Sequence, residues 1–255
     1  MFQKHCKNLQ QIEYAIKQIQ RDLRQYIAKK NLEAEKTYTK ILSILVVAWT
    51  EESLMKLLYQ HKIFSDVERQ KVLKKRTLEG KWKQCLDIVI VRAFKVPETK
   101  IISSIPFTFR EYYKELVRII ENDFVQSIEV RNRIAHGQWV YTFTKELDKI
   151  SPNIMKLMNT DNIIAIQMRM KILRTLISII TDFCISPQLA KRDFDKKYRV
   201  IDEQVNNLHK RDYKKYKECM IKKYLRGQEK RLDEAGNAAI DGWREEVAAN
   251  MCETD

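Results

Sequence analysis

From Leu9 onward the apolar residues Leu9, Ile12, Ile16, Ile19, Leu23 and Ile27 recur every three or four positions, with charged and amide side chains between them. That spacing is one face of a helix, so a long surface helix is predicted over the first thirty residues. A second helix is predicted over about 32–59. Its stretch Ile41, Leu42, Ile44, Leu45, Val46 and Val47 is apolar on every side, the mark of a segment surrounded by other elements. Ser65-Asp66 offers an N-cap for a third helical region reaching residue 94, with a break near Gly80.

Residues 97–106 read as a loop, because Pro97 and Pro106 each restrict the residue before them. Thr108 is placed to cap a helix carrying Tyr113, Leu116, Val117 and Ile120, and a further helix is predicted over 125–135, ending near Gly137. Residues 139–143 and 163–166 have the β-branched and aromatic content of two short strands and predict one small β-hairpin. Helical patterning returns over 167–185 and stops at Pro187. Beyond it Phe194, Tyr198, Ile201, Val205 and Leu208, then Tyr216, Met220 and Tyr224, form a heptad-like seam, predicting one long helix or two joined.

Only five glycines and four prolines punctuate the chain. Together with the patterning, this predicts an all-α fold. The formal net charge is +14, a long-range attraction for polyanions, with nucleic acid ahead of an anionic membrane surface. Residues 191–231 carry fifteen Lys/Arg against seven Asp/Glu, so this one segment holds a surplus of eight. The five cysteines are scattered, odd in number and never spaced as CxxC, which reads as reduced thiols rather than a disulfide frame or zinc site. The longest apolar run, 41–49, is far shorter than a membrane span, and the N-terminal residues lack a signal-peptide pattern. A cytoplasmic protein that does not enter the membrane is the expectation.

Of the four histidines, His5, His61 and His209 lie among Lys, Gln and Asn and read as surface residues. His136 closes the segment Arg131-Asn132-Arg133-Ile134-Ala135-His136-Gly137. On a helix Asn132 and His136 are four apart and share a face, where the amide is placed to hold the imidazole in one tautomer. Arg131 lies further round the cylinder and must serve a cleft shared with another helix. Glu129 and Arg133, also four apart, are spaced to pair with each other. An imidazole moves protons near neutral pH and a guanidinium holds phosphate oxygens. Together they suit metal-free cleavage of a phosphodiester whose substrate brings its own nucleophile, as the 2′-hydroxyl of RNA does. The competing reading makes Arg131 and Asn132 helix-bridging residues and His136 a satisfied polar group at a bend.

The string Arg-Asn-x-x-Ala-His-Gly on an amphipathic helix resembles the R-x4-6-H signature of the HEPN superfamily, including the polar residue after the Arg. The resemblance covers about residues 111–185. It implies a HEPN-like helical bundle and a metal-independent endoribonuclease, with Arg131 and His136 catalytic and Asn132 supporting them. It further implies no cofactor or catalytic metal, products with a 2′,3′-cyclic phosphate and a 5′-hydroxyl, and a homodimer with both motifs in one cleft. Such proteins serve in toxin–antitoxin, antiviral and RNA-targeting CRISPR systems, so an antitoxin or sensor protein is an implied partner. One departure stands out: where HEPN toxins paired with a nucleotidyltransferase often carry a Tyr two residues after the His, this chain has Gln138, and the nearest tyrosine is Tyr141.

The expected organisation is a helical domain over 1–186, a basic helical arm over 187–226 and a polar tail over 227–255. In the arm, Lys196, Lys197, Arg199, Lys210, Arg211, Lys214, Lys215 and Lys217 are expected to track an RNA backbone. The interleaved Tyr198, Tyr216 and Tyr224 fall on the seam and are expected to pack against another helix. There is no P-loop, GxGxxG, HExxH or G-x-S-x-G. Glu33, Glu35, Glu51 and Glu52 read as solvated surface. The alternative function is a non-catalytic basic helical module that binds nucleic acid or a protein partner.

Overall fold

Short polar side chains set where the helices begin. The Asn31 side chain accepts from the Ala34 N–H at 3.0 Å and opens helix α2 (Leu32–Tyr59) after helix α1 (Phe2–Ala28). Ser65 and Glu68 cap each other's backbone at the start of α3 (Asp66–Leu73), and Thr77 caps α4 (Leu78–Phe94). The break between these two helices therefore falls at 74–77, three residues ahead of the predicted one at Gly80, which sits in the first turn of α4. Arg92 on α4 donates to both carboxylate oxygens of Glu68 at 2.8 and 2.9 Å, tying the two helices together.

The computed structural model describes residues 1–144 and 148–252, without the side chains at 123, 209 and 235–252. Every regular element among the described residues is helical. The segment read as a loop after Pro97 coils into a 3-10 turn (Glu98–Lys100) and one turn of helix α5 (Ile101–Ser104). Helix α6 (Phe107–Ile119) starts directly after Pro106, not at Thr108, and a π-turn (Ile120–Phe124) joins it without interruption to α7 (Val125–Ala135). Helices α8 (Pro152–Thr160), α9 (Ile163–Ile185), α10 (Pro187–Lys210) and α11 (Tyr213–Cys252) complete the chain.

The predicted hairpin does not form among the described residues. Asn162 caps the Ile164 and Ala165 N–H groups, and Ile163, Ile164 and Ile166 become the buried first turn of α9. A four-residue apolar run fits a strand or a buried helix equally well, and the cap decides for the helix. The one β-type contact described is an isolated antiparallel bridge between Phe143 and Ile150.

Helix α2 is the centre of the molecule, packed on one side by α1 and on others by α7 and α9. None of residues 41–47 is exposed, as the all-round apolar pattern requires. Phe194, Ile201 and Val205 of α10 share the main core with α1, α2, α4 and α9, so the basic segment after Pro187 begins as part of the same body. No helix among the described residues is long and apolar enough to cross a membrane. The cysteines with described side chains, Cys6, Cys85, Cys184 and Cys219, are free thiols, and burial pushes the Cys184 thiol up to about 11.

Candidate functional site

The motif occupies the last turn of α7, and local backbone chemistry explains why the helix stops there. Gly137 takes φ +80°, the Gln138 N–H returns to the Arg133 carbonyl at 2.9 Å, and the Gly137 N–H bonds the Ile134 carbonyl at 3.1 Å. This is the glycine-terminated helix end that a side chain at position 137 would strain. His136 is the C-cap and so stands at the open end of the helix.

One face of α2 holds α7 in place. Lys40 and Glu51 are eleven residues apart, three turns or roughly 16 Å along the same face. Lys40 donates to the Trp139 carbonyl just past the motif, and Glu51 accepts from Arg131 Nη2. Between them Ile44 packs on a small separate core of Val130, Ile134 and Met158. Burial, with some help from Lys36, holds the Lys40 ammonium below its usual range.

Arg131, Asn132 and His136 all line one open groove of about 640 Å³, together with Glu51 of α2, Arg76 and Thr77 of the α3–α4 loop, Glu79 of α4, and Glu129 and Arg133 of α7. The structure thus brings the three motif residues to one surface, and the second wall that Arg131 needed comes from α2 and the α3–α4 loop. The Arg131 side chain is 24% exposed, and its Nε is enclosed without a hydrogen-bond partner. One edge of the guanidinium is thereby held by Glu51. Asn132 and His136 are exposed, and no side-chain hydrogen bond joins them, so the expected tautomer-setting contact is not made. The expected Glu129–Arg133 pair does not form either; both side chains face the groove instead.

Several acidic residues and one histidine read as surface groups have partners. Glu35 is 9% exposed, accepts from Tyr213 Oη at 2.8 Å and pairs with Lys217 at 2.8 Å. Burial and this carboxylate push the Tyr213 phenol well up. Glu52 accepts from His5 Nδ1 at 2.8 Å, and the His5 ring stacks on Tyr59. Glu51 and Arg76 are the groove residues that sequence reasoning missed. Nothing in the spacing of Glu51 marks it, since its partner lies 80 residues away. Arg76 did have a visible signal, the run Lys74-Lys75-Arg76.

The basic residues of the arm divide into two groups. Lys197 is bound to Asp182 and Ser178, Lys217 to Glu35, Arg199 to Asp195 at 2.9 Å and Lys196 to Asp193 at 3.6 Å. Lys210, Arg211, Lys214 and Lys215 are exposed and hold no ion pair among the described residues. The seam packs inside the chain: Tyr198 stacks on Tyr112 at 4.1 Å, and Tyr216 and Met220 lie on the main core. Glu35, where α11 is anchored, and Glu51 are sixteen residues apart on α2. They lie roughly 24 Å apart along its axis and about 160° apart around it.

An exposed imidazole, a half-buried guanidinium and free cations along an open groove can bind a phosphodiester and move a proton at it. Among the described residues no three His, Cys, Asp or Glu side chains converge as a metal-binding group. No family model matches the chain, and neither a curated protein nor a solved structure matches it.

Proposed function

We propose that this chain is a metal-independent endoribonuclease of HEPN type, acting as a homodimer in a toxin or antiviral defence system under the control of an antitoxin or sensor protein. The observation that carries the reading is that Arg131, Asn132 and His136 share one solvent-open groove in which Glu51 orients the arginine. In this scheme the ribose 2′-oxygen bonds to the adjacent phosphorus and the bond from phosphorus to the 5′-oxygen breaks. The products are a 2′,3′-cyclic phosphate and a 5′-hydroxyl. Arg131 offers its free N–H groups to the phosphate oxygens as charge builds on them. His136 takes the 2′-hydroxyl proton or supplies one to the leaving oxygen. One imidazole fills one of these roles at a time, and a second copy of the chain brings the other.

The test is incubation of purified protein with total RNA and mapping of the new ends. His136→Ala and Arg131→Ala each abolish cleavage with the circular dichroism spectrum unchanged, and EDTA leaves the wild-type rate as it was. Loss of activity on chelation, or cleavage by both variants, overturns the proposal. That His136 has no side-chain partner among the described residues favours the second reading, a non-catalytic nucleic-acid binder. That protein would retain RNA uncut, with affinity falling steeply as salt rises.

A further inference from the structure

The groove has a basic rim that the motif does not supply. Arg76 lines it from the α3–α4 loop and follows directly on Lys74 and Lys75. All three side chains are exposed and hold no ion pair among the described residues, whereas Lys71, one turn earlier, is taken up by Glu98, a carboxylate that Lys75 also helps to lower from a distance. The loop that carries them is short and fastened at both ends. Ser65, Glu68 and Arg92 lock α3 to α4, and Thr77 caps α4 immediately after Arg76. A backbone already fixed loses little further freedom when its cations meet a polyanion, which leaves only the side chains to be ordered. The arm contrasts with this: four of its eight candidate cations are already matched to carboxylates, and its anchor at Glu35 lies on the far side of α2 from Arg131.

We infer that Lys74, Lys75 and Arg76 form the entry contact for single-stranded RNA, with Arg76 holding a phosphate beside the one presented to Arg131 and His136. This rests on the ribonuclease reading of the groove and names where its substrate binds. A single strand is the occupant because transesterification needs a ribose free to bring its 2′-oxygen into line with the leaving oxygen, and because an unpaired strand can be drawn along a groove phosphate by phosphate. The carboxylates Glu51, Glu79 and Glu129 lie on the helical walls of the groove, so Arg76 is the cation that the loop gives to its lining, and Lys74 and Lys75 precede it in the chain just outside that lining.

The experiment uses the full chain and a labelled single-stranded RNA methylated at every 2′-oxygen, which binds but lacks the nucleophile. Anisotropy titrations across a salt series give the affinity and its salt slope. Removing three phosphate contacts with Lys74→Gln, Lys75→Gln and Arg76→Gln together lowers the log–log slope by about 2 and weakens low-salt binding about tenfold or more. Arg76→Gln alone gives a smaller change in the same direction and guards against misfolding of the triple variant. A control triple, Lys29→Gln, Lys30→Gln and Lys36→Gln, removes the same charge from the Glu35 end of α2 and shifts the slope less than half as much. The inference is overturned if the loop variants bind as the wild type does, if the control loses as much, if the wild type does not bind, or if polyglutamate at equal charge displaces the RNA. Loop-dependent binding by a wild type that never cuts unmethylated RNA sinks the nuclease reading and leaves the loop contact standing. Cleavage with KM unaltered by the loop substitutions does the reverse.

Discussion

Glu51 decides what Arg131 is able to do. A guanidinium with one N–H enclosed and unpartnered would have several orientations if it lost the carboxylate, which is 47% exposed and so contributes geometry more than buried charge. Glu51→Ala should therefore lower the single-turnover cleavage rate about 10–100-fold, the scale of a misplaced catalytic group, with little change in KM. Glu51→Gln keeps an oxygen acceptor and should recover most of the rate. If both variants instead bind RNA more tightly at an unchanged rate, Glu51 only neutralises charge. The motif residues were legible at this scale because four-residue spacing on a helix is a local property. Glu51 was not, since its meaning comes from Arg131 on another helix.

Among the elements, α11 packs Tyr216 and Met220 on the main core and is tied to α2 by one carboxylate. Glu35 is buried beneath Tyr213 and Lys217, and its removal leaves that ammonium and phenol without their hydrogen-bonding carboxylate among the described residues. Glu35→Ala should cost about 1–3 kcal/mol, discounted from a fully buried pair because Lys217 is partly exposed. Hydrogen exchange should show faster exchange in α11 with α2 and α9 still protected; uniform exchange across the molecule would mean that α11 is not separately anchored. The α3 start makes a pH-dependent contribution. Burial raises the Glu68 carboxyl, but the Ser65 hydrogen bonds and Arg92 outweigh it, leaving the group below the usual range. A lowered folded value stabilises above the unfolded value and is lost as pH falls through the folded one. Glu68→Ala should thus destabilise by about 1–2 kcal/mol near neutral pH and converge with the wild type in strong acid, read from denaturant midpoints. Helix α2 and the cap at Ser65 were legible in sequence, whereas the Asn31 cap came only with the structure. The hairpin misread and the unforeseen α8 share one cause: short apolar segments carry no decisive period.

At the scale of the whole molecule, one chain presents one Arg–His set in an open groove, while the proposed chemistry uses two proton carriers. Directly after the motif in sequence, Val140 and Tyr141 are 66% and 57% exposed, an apolar pair that the proposed second copy could cover. Light scattering should give twice the 30.5 kDa chain mass at micromolar concentration. Val140→Asp with Tyr141→Asp should shift the protein toward monomer and lower cleavage in proportion. A monomeric wild type with full activity would remove the shared cleft.

The chain by itself determined that the fold is helical, that α2 lies at its centre and that Arg131, Asn132 and His136 fall within one helical stretch, because hydrophobic period and capping act between near neighbours. The tertiary structure decided which wall faces that motif and which lysines remain free. Whether a charge is spent or available depends on the carboxylate that packing brings beside it: Glu35 for Lys217, Asp182 for Lys197, Glu51 for Arg131, and none among the described residues for Arg76. Such pairings join residues 15, 80 and 182 positions apart, and no local pattern along a chain encodes them.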